Sequence, residues 1–525
     1  MITRRFFVFW AVIALLWANL PYLVGYAAST PQNRFGGFFL YEQDGYSYLA
    51  KMRQGAGGAW LFHLPYTSED EYQSGGIALM FYIVLGKLAA LGLNDQLLYH
   101  AARVLSSILL LLVLRRFISR FIQNARWQLW TWCLLLFSSG WGLVVSYFIN
   151  SKYVAYELVA PDAFVFSVLY GPPHVIFGFA LLLIWITYTL DSIKADAPHL
   201  LRRIAVATVL GGVTALSREA YGPVYAGIFA AYLIALTVQR RRLPWREGLI
   251  ILLSSIGAGT YGLYMLIAYR AIPGFVVWYA QNPFGSPDPI DFILGYAPLL
   301  ILAAFGLRSP SPHPLSLPER GATGEGLFIV AWLIAGPIMA YLPLPISRRL
   351  IAGWQIPLCI FGAYALLRLI ESTRPYRRVI AILALIATLP TTVLVIAGGS
   401  MLVAAKQPPL FQPADQLAAL DWLSRNTSDR DVVVSDWRFG NVVPTVADAR
   451  VFIGHPIETA FFKDKQADVA RFFDPSTPEV DRAEFLRHWH ISLIALGPGE
   501  SIALDPARFT LVFKQGDYSI YQFPS

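Results

Sequence analysis

The sequence predicts a mostly α-helical, polytopic membrane protein with a small α/β domain at its C-terminal end. Three observations predict it. Hydrophobic residues make up 56% of the 525 positions and charged residues only 14%, against about 25% charge in an ordinary soluble domain. Apolar runs of about 17–25 residues recur along the chain with few charges inside them, as transmembrane helices require. From about Ala405 that pattern stops, and the remaining ~120 residues are enough for one small domain.

The formal net charge of +8 does not indicate nucleic acid, because the basic residues form short clusters between apolar runs rather than one patch. Such clusters are the topology signal of a multi-pass plasma-membrane protein. The two cysteines, Cys133 and Cys359, both fall in apolar runs and provide neither a disulfide framework nor metal spacing. The apolar stretch from Phe6 to Ala28 is longer than a signal-peptide core and contains Trp10, Trp17 and Asn19. It reads as an uncleaved first helix.

Arg4 and Arg5 place the N-terminus in the cytoplasm, so the loop after the first helix, about Ser29 to Ser74, is external. A loop of that length is usually functional. The run Gly76–Leu91, interrupted by Lys87, reads as an interfacial segment rather than a crossing. This keeps the cluster Arg115, Arg116, Arg120 and Arg126 inside. Crossings then follow at Leu97–Leu114, Trp127–Phe148, Pro172–Leu190, Ile204–Leu216, Gly222–Val238, Leu249–Tyr269 and Phe292–Leu307. After an inner proline-rich loop with Arg308 and Arg320 come Leu327–Tyr341, Leu350–Leu369 and Val379–Ala404. The total is about eleven crossings of the ~30 Å hydrocarbon layer. An odd number puts the C-terminal domain outside. The expected division is therefore 1–404 for the membrane domain, with its outer loop 29–74, and 405–525 for the extracytoplasmic domain.

In that last domain Leu417, Leu420 and Leu423 have helical spacing. Val432–Val434 and Ile491–Leu496 read as buried strands. Phe509–Phe513 and Tyr518–Phe523 read as a hairpin, and helices are expected near Ala460–Phe473 and Val480–Trp489.

The candidate chemistry lies in the outer loops. Asp44 stands in Gln43-Asp44-Gly45-Tyr46-Ser47-Tyr48, with Lys51 and Arg53 behind it. The second outer loop supplies Glu157, Asp162 and, at the start of a helix, His174. Four cations oppose the positive-inside pattern: Arg103, Arg218 next to Glu219, and the adjacent pair Arg348 and Arg349. Charges at the membrane are costly and pair with something or mark a ligand path. Guanidinium also matches phosphate oxygens. The plainer alternative pairs Arg218 with Glu219 and lets the others reach lipid headgroups. Tyr46 and Trp60 suit either sugar stacking or interface anchoring.

An early Asp in a long first outer loop, an amphipathic run, and an Ala101-Ala102-Arg103 helix ending in Arg115-Arg116 resemble the GT-C superfamily of integral-membrane glycosyltransferases. Asp44 matches the first-loop acid of that family, Ala101-Ala102-Arg103 its arginine-bearing helix start, and Asp162, or Glu157, its second-loop acid. The segment Ser435-Asp436-Trp437 echoes the Trp-Trp-Asp motif of oligosaccharyltransferases but breaks it, which speaks against recognition of a peptide sequon. The resemblance implies transfer of a sugar from a polyprenyl-phosphate donor to a glycan, lipid or protein acceptor on the outer face. Asp44 would be the base, assisted by Asp162 or Glu157. Arg348, Arg349, Arg218 and Arg103 would meet the phosphate, with Tyr46 and His174 also at the substrate. A divalent cation is compatible with this set and not required by it. Two other classes compete: a non-catalytic binding or assembly protein of envelope glycan synthesis, and a transporter. A transporter would place ionisable residues at the midplane of broken helices and often carry inverted repeats.

Overall fold

The computed structural model describes residues 2–194, 197–308, 325–500, 502 and 504–524. The proline-rich loop around Arg320 lies outside them. Among the described residues, nine helices are long and apolar enough to cross a membrane: Arg4–Ala28, Asp95–Phe121, Ala125–Phe148, Pro173–Ile193, Leu200–Ser217, Tyr221–Arg240, Trp245–Ala271, Pro289–Leu307 and Ser347–Ile370. Pro375–Ile386 and Pro390–Ala404, bent by 41° at a short break, pass the same length and composition test as a pair. The bend has a local cause, because Leu389 precedes a proline, which disfavours α geometry there. Glu325–Ala340 is a shorter apolar helix. All eleven expected crossings thus have a helical counterpart, and the chain is a multi-pass helical membrane protein.

The run at 76–91 forms only the ten-residue helix Met80–Ala89. At 1.5 Å per residue it spans about 15 Å, half of the hydrocarbon layer. Its Lys87 ammonium lies 4.8 Å from the ring of Trp60, which is 63% exposed.

The chain divides into two compact units, the first made of Met1–Leu20, Ala101–Leu263 and Phe284–Gly399, the second of Pro21–His100, Tyr264–Pro283 and Ser400–Ser525. In the first unit, side chains cap the helices where the apolar runs start. Asn124 accepts from the Trp127 N–H at 3.0 Å, and Asp288 from the Ile290 N–H at 2.8 Å. Arg120 joins three helix ends, donating to Asp191 at 2.8 Å and to Glu325 at 2.7 Å. Trp185 stacks on Tyr225 with ring centroids 3.6 Å apart in the packed interior.

In the second unit, residues of the first loop fold together with the C-terminal residues. Strand β1 (Asn33–Phe35) pairs antiparallel with β2 (Phe411–Pro413). The five-stranded sheet has the order β4 (Arg450–Val451), β3 (Val432–Val434), β5 (Leu493–Leu496), β7 (Tyr518–Gln522), β6 (Thr510–Gln515). The β3 pairings are parallel and those of β7 antiparallel. β3 and β5 are buried on both faces, which explains their unbroken apolar sequences. The helices Ala414–Asn426, Phe462–Phe473 and Glu479–His488 fall where the periodicity predicts them. A further helix, Trp437–Val446, was not expected from sequence. Asp436 caps it by accepting from the Arg438 N–H at 2.9 Å.

The helix that carries Asp44, Glu42–Ala56, is held against Met80–Ala89 by two reciprocal glycines. A Cβ on Gly55 would lie 2.2 Å from the Ile83 carbonyl oxygen, and one on Gly86 2.0 Å from that of Met52. No side chain fits at either position, and this close approach fixes the helix axis.

Candidate functional site

The sequence-predicted residues belong to two groups, one in each unit. In the second unit, Asp44 lies in the first turn of Glu42–Ala56, and Ser47 and Lys51 follow on the same helical face. Opposite them, the loop from Gly454 to Thr459 presents His455 and Glu458. Gln281 holds this loop by donating to the carbonyls of Ile457 (3.2 Å) and Thr459 (2.7 Å), and Gly454 N–H donates to Thr459 Oγ1 at 3.0 Å.

His455 Nε2 lies 3.1 Å from Asp44 Oδ1. The backbone determines which nitrogen carries the proton. His455 Nδ1 accepts from the N–H groups of Ile457 (3.2 Å) and Glu458 (3.3 Å). The proton of the neutral ring is therefore on Nε2 and is donated to Asp44. The histidine side chain is 4% exposed and the aspartate 41%. A buried donor thus orients a carboxylate that still reaches solvent.

Next to this pair is a fully buried ion pair. Lys51 Nζ lies 2.7 Å from Glu458 Oε1, with side-chain exposures of 1% and 5%. Ser47 Oγ donates to the same oxygen at 2.6 Å, and Lys51 also donates to Ser47. Burial disfavours the Glu458 carboxylate, but the Lys51 ammonium outweighs it and holds the group below its usual range. Burial lowers Lys51 against the opposing pull of Glu458. A second such pair joins Lys465 to Glu69 at 2.7 Å, and there too the ammonium overrides burial and holds the carboxyl down.

Both glutamates have folded values below their unfolded value of about 4.5. Between the two values the unfolded chain binds more protons, so stability rises with pH. The contribution is complete above the unfolded value and is lost as pH falls through the folded ones. Thermal unfolding followed from pH 7 downward is expected to show a constant midpoint to about pH 5 and then a steady fall. A midpoint unchanged to pH 3 would refute this assignment.

Tyr46 is not a solvent-facing ring. It is buried, and its hydroxyl accepts from Gln412 Nε2 at 3.0 Å. Burial pushes that phenol up.

In the first unit, Asp162 sits in the turn Pro161–Ala163 with its side chain 3% exposed. Its Oδ2 accepts from Arg218 Nε at 3.3 Å. Arg218 is the residue that ends Leu200–Ser217. Its neighbour Glu219 accepts from Arg349 at 3.3 Å. Consecutive side chains at a helix end diverge, so each finds a partner from another segment. The guanidinium carbons of Arg348 and Arg349 lie 4.8 and 3.7 Å from the ring centroid of Phe284. The turn is fixed by Arg348 N–H donating to the Phe284 carbonyl at 3.1 Å and by Ser347, whose hydroxyl bonds the Leu344 carbonyl at 2.7 Å.

Glu157 is fully buried and accepts at Oε1 from Leu143 N–H (2.9 Å) and Thr391 Oγ1 (2.8 Å). Burial raises its carboxyl. Arg103 is 2% exposed, and its guanidinium donates to Asn19 Oδ1 at 2.6 Å and to the carbonyls of Ala18 and Leu169 at 3.4 Å. His174 is buried in the first turn of Pro173–Ile193.

Among the described residues no three His, Cys, Asp or Glu side chains gather as a metal would need, and the Nε2 lone pair of His455 is taken by its proton.

His455 and Glu458 follow a Gly-His-Pro-Ile-Glu sequence with no sign of their partner. Gln281, in a nominal interhelical loop, carries no sequence signal at all.

No protein-family model matches the chain, and no curated protein matches it. Solved structures do. The apo oligosaccharyltransferase of Archaeoglobus fulgidus aligns over 93% of this chain and 69% of its own, at 13% identity and a TM-score of 0.55. The same organism's oligosaccharyltransferase AglB, in complex with an inhibitory peptide and a dolichol-phosphate, aligns over the same shares at 13% identity with a TM-score of 0.50. ArnT from Cupriavidus metallidurans, bound to undecaprenyl phosphate, aligns over 97% of both chains at 14% identity and a TM-score of 0.48. The fold is GT-C-like.

Proposed function

We propose that the protein is a membrane glycosyltransferase that moves a sugar from a polyprenyl-phosphate donor to an acceptor hydroxyl at the outer membrane face. The observation that carries this reading is Asp44, a half-exposed carboxylate with one oxygen pinned by the Nε2–H of a buried histidine. A general base needs a fixed orientation and hydrogen-bond reach of the proton it removes. As the acceptor oxygen attacks the anomeric carbon, its proton passes to Asp44. The bond from that carbon to the phosphate oxygen breaks, and its electron pair leaves with the phosphate. Fixed guanidinium groups stabilise the charge gained there. The guanidiniums that the charge pattern offers for this role are Arg348 and Arg349, set against Phe284, and Arg218, held by Asp162. Arg103, Glu157 and His174 brace the helices. The archaeal protein of like fold, solved with a dolichol-phosphate, supports a polyprenyl-phosphate donor.

The test is transfer of radiolabel by the purified protein from a panel of polyprenyl-phosphate hexoses and pentoses to an envelope extract. Label is expected to leave the polyprenyl-phosphate donor only when protein is present. Donor binding without transfer across the whole panel would favour the non-catalytic binding protein instead.

His455 is assigned to positioning Asp44. His455→Gln keeps an N–H near Nε2 and is expected to retain most activity. His455→Leu removes it and is expected to lower kcat about tenfold. The acid limb of the pH profile should also move up, because a hydrogen bond to the charged form of the base is lost. An unmoved acid limb in active His455→Leu protein would leave His455 a purely structural residue.

A further inference from the structure

A cavity of about 440 Å³ lies wholly within the second unit, beside the first turn of the Asp44 helix. Its volume is in the range of small-molecule sites. The walls combine flat aromatic rings (Trp437, Phe439, Tyr518) with planar polar groups, among them Glu42, Asn441 and Glu500. Trp437, Phe439 and Asn441 are supplied by the helix Trp437–Val446, so the element absent from the sequence reading builds much of the wall.

Asn441 is a buried polar group of this wall. Its side chain is 2% exposed, and its Nδ2 donates to the Gln43 carbonyl at 3.2 Å. Its Oδ1 is buried and has no partner among the described residues. A buried acceptor left unsatisfied is costly, and native proteins supply it with a donor. Charge narrows the choice of ligand. Glu42, Asp436 and Glu500 face the cavity against the single cation Arg438. Burial pushes the carboxyls of Glu42 and Glu500 up and the Tyr518 phenol up to about 12. A phosphate or a uronic acid would meet these groups at an electrostatic cost. Hydroxyl and amino groups would meet acceptors, and a pyranose ring offers C–H faces to the aromatic rings.

We infer that this cavity binds a neutral or amino-bearing saccharide unit. The inference deepens the glycosyl-transfer reading, on which it rests for its role, by naming the class of acceptor. Binding itself is independent of catalysis and can be measured without it.

The experiment uses the full chain in lipid nanodiscs, because glycoside detergents would compete. Saturation-transfer difference NMR is recorded with glucose, N-acetylglucosamine, glucosamine and glucuronate. Saturation of one or more of the first three, and none of glucuronate, is expected. Trp437→Ala and Asn441→Ala should each weaken binding about tenfold, and Glu42→Gln should reduce any preference for glucosamine over glucose. Equal binding in all three variants, a preference for glucuronate, or binding of short neutral peptides in place of every saccharide would each overturn the inference. Saccharide binding that survives in a protein with no transfer activity would keep the inference and overturn the catalytic reading. Transfer without saccharide binding would do the reverse.

Discussion

Asp44→Asn is expected to lower sugar transfer about 10³-fold, within the range that a positioned general base contributes. The substitution is clean for a structural reason. The asparagine Oδ1 still accepts from His455 Nε2–H, so neither the loop Gly454–Thr459 nor the histidine tautomer loses its partner. The side chain is 41% exposed, so no buried charge is removed. The thermal midpoint should therefore stay within about 2 °C of wild type, as for surface substitutions. Measured together, kcat and the midpoint separate loss of a base from loss of fold. If transfer survives in Asp44→Asn, the base must be elsewhere. Glu157 and Asp162 would then be next in line: each is anchored through one oxygen, Oε1 and Oδ2, while Oε2 and Oδ1 accept no hydrogen bond among the described residues.

The helical crossings were legible because hydropathy is a local property. Each run from Phe6 onward has its counterpart in a helix, and the one segment read as interfacial, 76–91, forms a helix too short to span. The strands β3 and β5 were legible for the same reason, as unbroken apolar runs. The helix Trp437–Val446 was not, because a Gly, an Asn and a Pro interrupt its pattern and only the Asp436 cap marks its start. The contacts of the candidate groups were the least legible. Asp44 and His455 are 411 positions apart, and nothing in either local sequence specifies the other. The same holds for Arg218 with Asp162 and Arg349 with Glu219. Proximity in sequence suggested Arg218 with Glu219, and tertiary packing brings each a partner from a distant segment. Charge placement indicated that these arginines needed partners, but only the fold decides which.

The buried pair of Lys51 and Glu458 sets the second large expectation. Lys51→Met removes the ammonium and leaves Glu458 with a carboxylate in a site that is 5% exposed, held only by Ser47. Breaking a buried pair in this way costs about 3–5 kcal/mol, far more than the pair itself contributes to stability. The unfolding midpoint of the second unit should fall steeply, and Asp44 should lose its orientation as well, since Glu458 and His455 share one loop and the Glu458 N–H donates to His455 Nδ1. Adding Glu458→Gln to Lys51→Met removes the uncompensated charge, and Ser47 can still donate to the amide oxygen. The double variant is therefore expected to recover most of the stability, so that it unfolds well above the Lys51→Met single variant and the cycle shows a strong coupling. Recovery of transfer along with stability would mean that the ion pair serves the site only by keeping the loop in place. Stability without transfer would mean that the charge on Lys51 acts on Asp44 itself, close along the same helical face. If the single and double variants unfold alike, the pair is not coupled, and the orientation of Asp44 must depend on His455 and Gln281 alone.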